Sequence, residues 1–130
     1  MRRVFKTKLF ARWLRKSTLS DDALCEAIVE MNRGLIDGEL GGHVFKKRVA
    51  MPGRGKRGGA RVLVATKLGN RWFFLYGFEK NERENIDDRE LKAVQKLAES
   101  LLKFEPHQLS IALERGELLE ICHEKKPTVR

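Results

Sequence analysis

Between Val44 and Phe78 the apolar residues come in three short runs, Val44–Ala50, Arg61–Thr66 and Arg71–Phe78. Each is rich in Val, Phe, Leu or Tyr, and each is closed off by Gly, Pro or Asn. Runs of β-branched and aromatic residues with such punctuation read as consecutive antiparallel strands. Leu68-Gly69-Asn70 reads as a tight turn between the last two, and Gly53–Gly58 as a glycine-rich loop between the first two. The same stretch concentrates charge: from Gly41 to Lys80 there are ten Lys or Arg residues and one acid, Glu79. A small sheet carrying that many cations is expected to face a polyanion.

A chain of 130 residues supports one core, so 1–130 is read as a single domain. No apolar run approaches the ~20 residues that span a bilayer, and the N-terminus lacks the apolar core of a secretory signal. A cytoplasmic protein with no membrane partner is therefore expected. Cys25 and Cys122 lie far apart and outside any CxxC pair, so both are expected to be reduced. Net charge is +9, placed unevenly: residues 1–19 hold seven cations and no acid, and residues 20–40 hold one cation and six acids. Such clustering is the footprint of a nucleic-acid partner, since neutralised phosphates release counterions. The competing explanation is a solvated basic surface.

Arg3–Lys6 reads as a first strand and Lys8–Lys16 as a helix with Leu9, Trp13 and Lys16 on one side and Phe10 and Leu14 beside them. Ser20 is an N-cap, and its helix carries Leu24, Ala27, Ile28, Met31 and Leu35, with Gly34 and Gly38 at its end. Asp87 and Glu90 have the spacing of a capping box ahead of Leu91, Val94, Ala98, Leu101 and Leu102. Pro106 opens a helix to Arg115, Leu118–Cys122 is expected to be an edge strand, and Lys125–Arg130 to fray. The order β-α-α-β-β-β-α-α predicts an α+β domain, a small antiparallel-rich twisted sheet with helices packed on one face.

Gly53-x-Gly55-x-x-Gly58 spells a dinucleotide fingerprint, but a strand follows it where that motif needs a helix. The loop is better suited to offering cations and backbone N–H groups to phosphates. Three scattered histidines and two distant cysteines give no zinc spacing, so no metal or cofactor is expected. Trp13, Trp72, Phe73 and Phe74 read as core. Strand alternation puts Phe45, Lys47 and Val49 on the packed side, with Lys47 reaching out from a strand edge. Lys46 and Arg48 then project together on the open side. Arg61 can lie across from them, and Lys80 lies near the exit of the third run.

Lys46-Lys47-Arg48-Val49-Ala50, Gly55-Lys56-Arg57-Gly58-Gly59-x-Arg61 and Phe74-Leu75-x-x-Phe78-x-Lys80-Asn81-Glu82, in this order, resemble the RelE/HigB toxins of bacterial toxin–antitoxin pairs. The resemblance covers about residues 3 to 102 and leaves 103–130 as a C-terminal helical extension. It implies a microbial-RNase-like fold, ribosome-dependent cleavage of mRNA, and a cognate antitoxin, a small DNA-binding protein, as partner. By position, Lys46 and Arg48 match the family's basic pair on a central strand, Arg61 the arginine after the glycine turn, and Lys80 the lysine of the last strand. Asn81 stands where relatives often carry an arginine. Phe78 occupies the nearest aromatic position to the family's tyrosine, and Tyr76 is the chain's sole tyrosine.

The resulting expectation is an endoribonuclease that uses no metal. Lys46, Arg48, Arg61 and Lys80 form its catalytic set, and Lys47, Arg54, Lys56, Arg57, Tyr76, Phe78 and Asn81 its RNA contacts. Arg48 and Arg61 would stabilise the phosphate, Lys46 take a proton, and Lys80 orient the phosphate or protonate the leaving group. Glu82 and His43 are secondary candidates. The alternatives are a ParE-like gyrase inhibitor on the same scaffold and a basic nucleic-acid-binding module without catalysis.

Overall fold

Residues 2–53 and 55–123 are described by the computed structural model, leaving aside the side chains of 55–57. The segment 125–130, expected to fray, lies outside the described residues, as do Glu124 and Arg54. β1 (Arg3–Thr7) runs parallel to β5 (Arg71–Glu79), with Phe5 beside Phe73. β6 (Leu118–Ile121) pairs antiparallel with the other side of β1. β2 (Gly38–Gly41), β3 (Val44–Met51) and β4 (Gly55–Thr66) continue antiparallel from β5, giving the order β2-β3-β4-β5-β1-β6. The mostly antiparallel α+β architecture expected from the punctuated runs is present.

Two strand readings change. β4 reaches back through the glycine-rich segment to Gly55, so Lys56 and Arg57 belong to a strand rather than a loop. β2 was not expected at all, because Gly38 was read as the end of a helix. That helix, α2 (Asp21–Asn32), stops earlier: Gly34 takes φ 91, and Leu35, beyond the last turn, is exposed. Ser20 caps α2 as expected, its hydroxyl accepting from the Ala23 N–H.

The helices cover both faces of the sheet, not one. The reason is written in β4 and β5, where Val62-Leu63-Val64-Ala65 and Trp72-Phe73-Phe74-Leu75 are buried at both parities. A strand that is apolar on both sides must be covered on both sides. α1 (Lys8–Lys16) and α2 pack Phe10, Leu14, Leu24, Ile28 and Met31 against Phe45, Val62, Val64 and Phe74. On the other face α3 (Asp88–Leu102) and α4 (Pro106–Glu114) pack Val94, Ala98, Leu101 and Leu109 against Val44, Leu63, Ala65 and Leu75. The capping box of Asp87 and Glu90 is formed. In α1 the buried stripe is Phe10, Ala11 and Leu14, and Leu9 points outward. Gly77 gives Trp13 room: a Cβ there would stand 2.5 Å from the indole ring.

Cys25 and Cys122, expected to be free thiols, are joined by a disulfide across 97 residues of sequence. Sequence distance was a poor guide. α2 packs in the same core as Ile121 at the end of β6, and this brings the two Cα atoms to 5.4 Å. Among the described residues no helix is long and apolar enough to cross a membrane.

Candidate active site

The register of three neighbouring strands decides which cations meet. Arg48 on β3 lies opposite Arg61 on β4, and Arg61 lies opposite Phe78 on β5. Residues directly opposite share a face, and so do residues two apart on one strand. Lys46 and Lys80 therefore join the same face; the Lys80 N–H bonds the Gly59 carbonyl at 3.1 Å, continuing the ladder. α3 and α4 cover the Val44–Leu63–Leu75 end of that face. At the other end Lys46, Arg48, Arg61 and Lys80 line a groove of about 370 Å³ together with Asp37 and Glu84.

The four cations differ in setting. Arg61 is buried, Lys46 half-buried, and Arg48 and Lys80 are exposed. Burial and then the Arg48 charge push the Arg61 guanidinium's pKa down, and Asp37 opposes them. Asp37 steadies Arg48: one carboxylate oxygen accepts from the Arg48 backbone N–H and the other from its Nε, both at 2.8 Å. Burial raises the Asp37 pKa, but the two Arg48 hydrogen bonds and the charges of Lys47 and Arg48 outweigh it, so the carboxylate sits below its usual range. Among the described residues Lys46, Lys80 and Glu84 have no ion-pair partner.

The expected RNA contacts fare differently. Lys47 is turned to the opposite face, 3% exposed, with its Nζ 2.8 Å from Glu30 and 3.8 Å from Asp37. It forms a buried ion pair on the side away from the groove. Phe78 is buried beside Arg61, with the Arg83 guanidinium 5.8 Å from its ring centroid, so its face is not open to a base. Tyr76 lies off the groove: its hydroxyl donates to Glu90 at 2.5 Å and accepts from Arg83 at 3.0 Å. Burial, then the Glu90 carboxylate, pushes the phenol up to about 12. Asn81 is exposed in the turn after β5, outside the groove lining, and His43 lies at the far end of β3. Arg54 and the side chains of Lys56 and Arg57 lie outside the described residues.

Sequence reasoning missed Asp37, Glu84 and Arg83, and read Glu90 only as a capping-box residue without its bonds to Tyr76 and Arg83. Asp37 and Glu84 come from segments flanking the strands, and alternation within a strand says nothing about which loop carboxylate folds over it. Arg83, two residues past Asn81, bonds Glu90 through Nη2 at 2.6 Å and ties the turn after β5 to the first turn of α3. That turn carries Lys80 and Glu84, so the clamp fixes one wall of the groove.

No curated protein matches the chain. A family model described as the RelE toxin of the RelE/RelB toxin–antitoxin system matches residues 2–121, which takes in the whole sheet through β6. Three strand cations and Lys80 just past β5 in one open groove, on a sheet this family model matches from end to end, lead to one assignment: the chain belongs to the RelE toxin family, the toxins of toxin–antitoxin systems.

Proposed function

We propose that this toxin is a ribosome-dependent mRNA endonuclease, an mRNA interferase that stops translation. The observation that carries this reading is the meeting of Lys46, Arg48, Arg61 and Lys80 in one groove with two carboxylates at its rim. In the scheme, the ribose 2′ oxygen attacks the adjacent phosphorus. A bond from that oxygen to phosphorus forms and the bond to the 5′ oxygen breaks, leaving a 2′,3′-cyclic phosphate and a 5′-hydroxyl. Arg61 and Arg48 sit against the phosphate oxygens, where planar guanidinium groups stabilise the developing charge. The 2′-OH proton passes to Lys46 in its neutral form or to Glu84, and Lys80 protonates the departing 5′ oxygen. The scheme uses side chains alone.

The partners in this reading are mRNA, the ribosome that holds it in line, and a cognate antitoxin, which membership of a toxin–antitoxin family implies. Induced expression followed by primer extension on cellular mRNA tests it. The expected result is growth arrest with discrete mRNA ends for the natural chain and neither for Arg61→Ala. Growth arrest without mRNA cleavage, accompanied by inhibited DNA supercoiling, would instead assign a gyrase inhibitor.

A further inference from the structure

A second cationic surface lies at the opposite end of β3 from the groove. Lys67, after β4, and Lys92 and Lys96, one turn apart on α3, line a cavity of about 620 Å³ with His43, Gly42 and Gln95. The acid of this cavity, Glu99, is paired with Lys103 at 3.0 Å. Among the described residues Lys67, Lys92 and Lys96 have no carboxylate partner. Like charges one turn apart destabilise a helix, so such an arrangement favours an anion that offsets them.

The cavity is built rather than incidental. Gly41, Gly42 and His43 take positive φ in succession, at 86, 63 and 65°. For His43 that is the left-handed region, which side-chain-bearing residues seldom occupy outside turns and functional sites. The turn is held on both sides: the Gln95 amide donates to the Leu40 carbonyl at 2.8 Å, and the Thr66 N–H donates to the His43 carbonyl at 3.0 Å. A Cβ at Gly41 or Gly42 would come within 3.2 or 3.3 Å of the Gln95 side chain, so glycine is what lets the turn close on α3. The lining holds no Trp, Tyr, Phe or Met to anchor a protein partner. Lysine heads beside exposed backbone suit phosphates.

We propose that this cavity is a second phosphate-backbone site, which grips an RNA strand other than the one entering the Arg48–Arg61 groove. From His43 to Arg48 is roughly 17 Å along β3, so the two sites are separate. The proposal rests on the reading of the toxin as acting on RNA. The test uses the full chain carrying Arg61→Ala, to prevent cleavage, and a fluorescein-labelled single-stranded RNA titrated over a range of salt concentrations. Adding Lys67→Ala, Lys92→Ala and Lys96→Ala should weaken binding about tenfold near 0.15 M salt and lower the slope of log K against log salt by about 2, as three lost phosphate contacts require. Lys8→Ala, Arg12→Ala and Arg15→Ala on α1 remove the same charge elsewhere and should leave that slope unchanged. An unchanged slope in the cavity variant, or an equal loss in the α1 variant, overturns the site. Retained RNA binding with loss of binding to polyglutamate would make the cavity a protein-docking surface and overturns it equally. Cleavage of ribosome-bound mRNA by the natural chain, scored separately, tests the reading of the toxin as acting on RNA, on which this proposal rests.

Discussion

Arg48 and Arg61 stand directly opposite each other on β3 and β4, and the Asp37 carboxylate is clamped onto Arg48 from the side. Two like charges in register on adjacent strands cost stability. Asp37 and the exposure of Arg48 moderate that cost, and a phosphate between the guanidinium groups would reverse its sign. The cation pair is thus best understood as a site whose strain an anion relieves.

Lys47, one residue away from both Lys46 and Arg48, is predicted to matter for folding alone. Its ammonium is buried against Glu30, and removing one partner of a buried ion pair costs about 3 kcal/mol or more. Lys47→Ala should lower the unfolding free energy by that amount, read as a lower urea midpoint at an unchanged m value, while the fraction that remains folded binds RNA like the natural chain. Weakened RNA binding at unchanged stability would return Lys47 to the interface.

The Cys25–Cys122 disulfide fastens α2 to the end of β6. Closing so long a loop restricts the unfolded chain, and losing such a bridge costs about 2–4 kcal/mol. Paired Cys25→Ser and Cys122→Ser substitutions, or added dithiothreitol, should lower the unfolding free energy from chemical denaturation by that much. Identical curves with and without reductant would contradict it.

The Tyr76–Arg83–Glu90 cluster makes stability depend on pH at both extremes. The hydrogen bond from Arg83, then that from Tyr76, holds the Glu90 carboxyl at about 2, against 4.5 ordinarily. A carboxyl lowered by folding stabilises the protein above its unfolded pKa, so this contribution is complete above about 4.5 and is lost as pH falls toward about 2. Tyr76 is raised from 10.0 to about 12, so its contribution is complete below 10 and is lost as pH rises through that window. Glu90 is a third exposed and solvent screens it, so the acid effect should be small. Tyr76→Phe should flatten the alkaline flank of the denaturation midpoint plotted against pH and shallow the acid one. An unaltered profile would contradict the cluster's role.

How much of this was legible depends on whether a residue's position is set within its own strand. Lys46 and Arg48 share a face because alternation requires it, and Arg61 joins them once the strands are antiparallel. Phe45, Lys47 and Val49 were on the packed side for the same reason, but the ion-pair partners of Lys47 come from α2 and the loop after it. Asp37, Glu84 and Arg83 reach their places through tertiary docking, which no local pattern encodes, whereas Glu90 was legible as the capping-box partner of Asp87. The second layer of helices was in fact written in the unbroken apolar runs of β4 and β5, and it was missed by assuming that one face stays open. The disulfide was hidden because 97 residues of separation say nothing about two ends folded side by side.

Cleavage of a defined mRNA on programmed ribosomes, under single-turnover conditions, tests the central claim most directly. The natural chain should leave 2′,3′-cyclic phosphate and 5′-hydroxyl ends. Arg61→Ala, confirmed as folded by near-UV circular dichroism, should be slower by about 10²–10³-fold, the usual effect of losing one group that stabilises transition-state charge. Cleavage by folded Arg61→Ala at the natural rate would show that the Arg48–Arg61 groove is not where the RNA is cut.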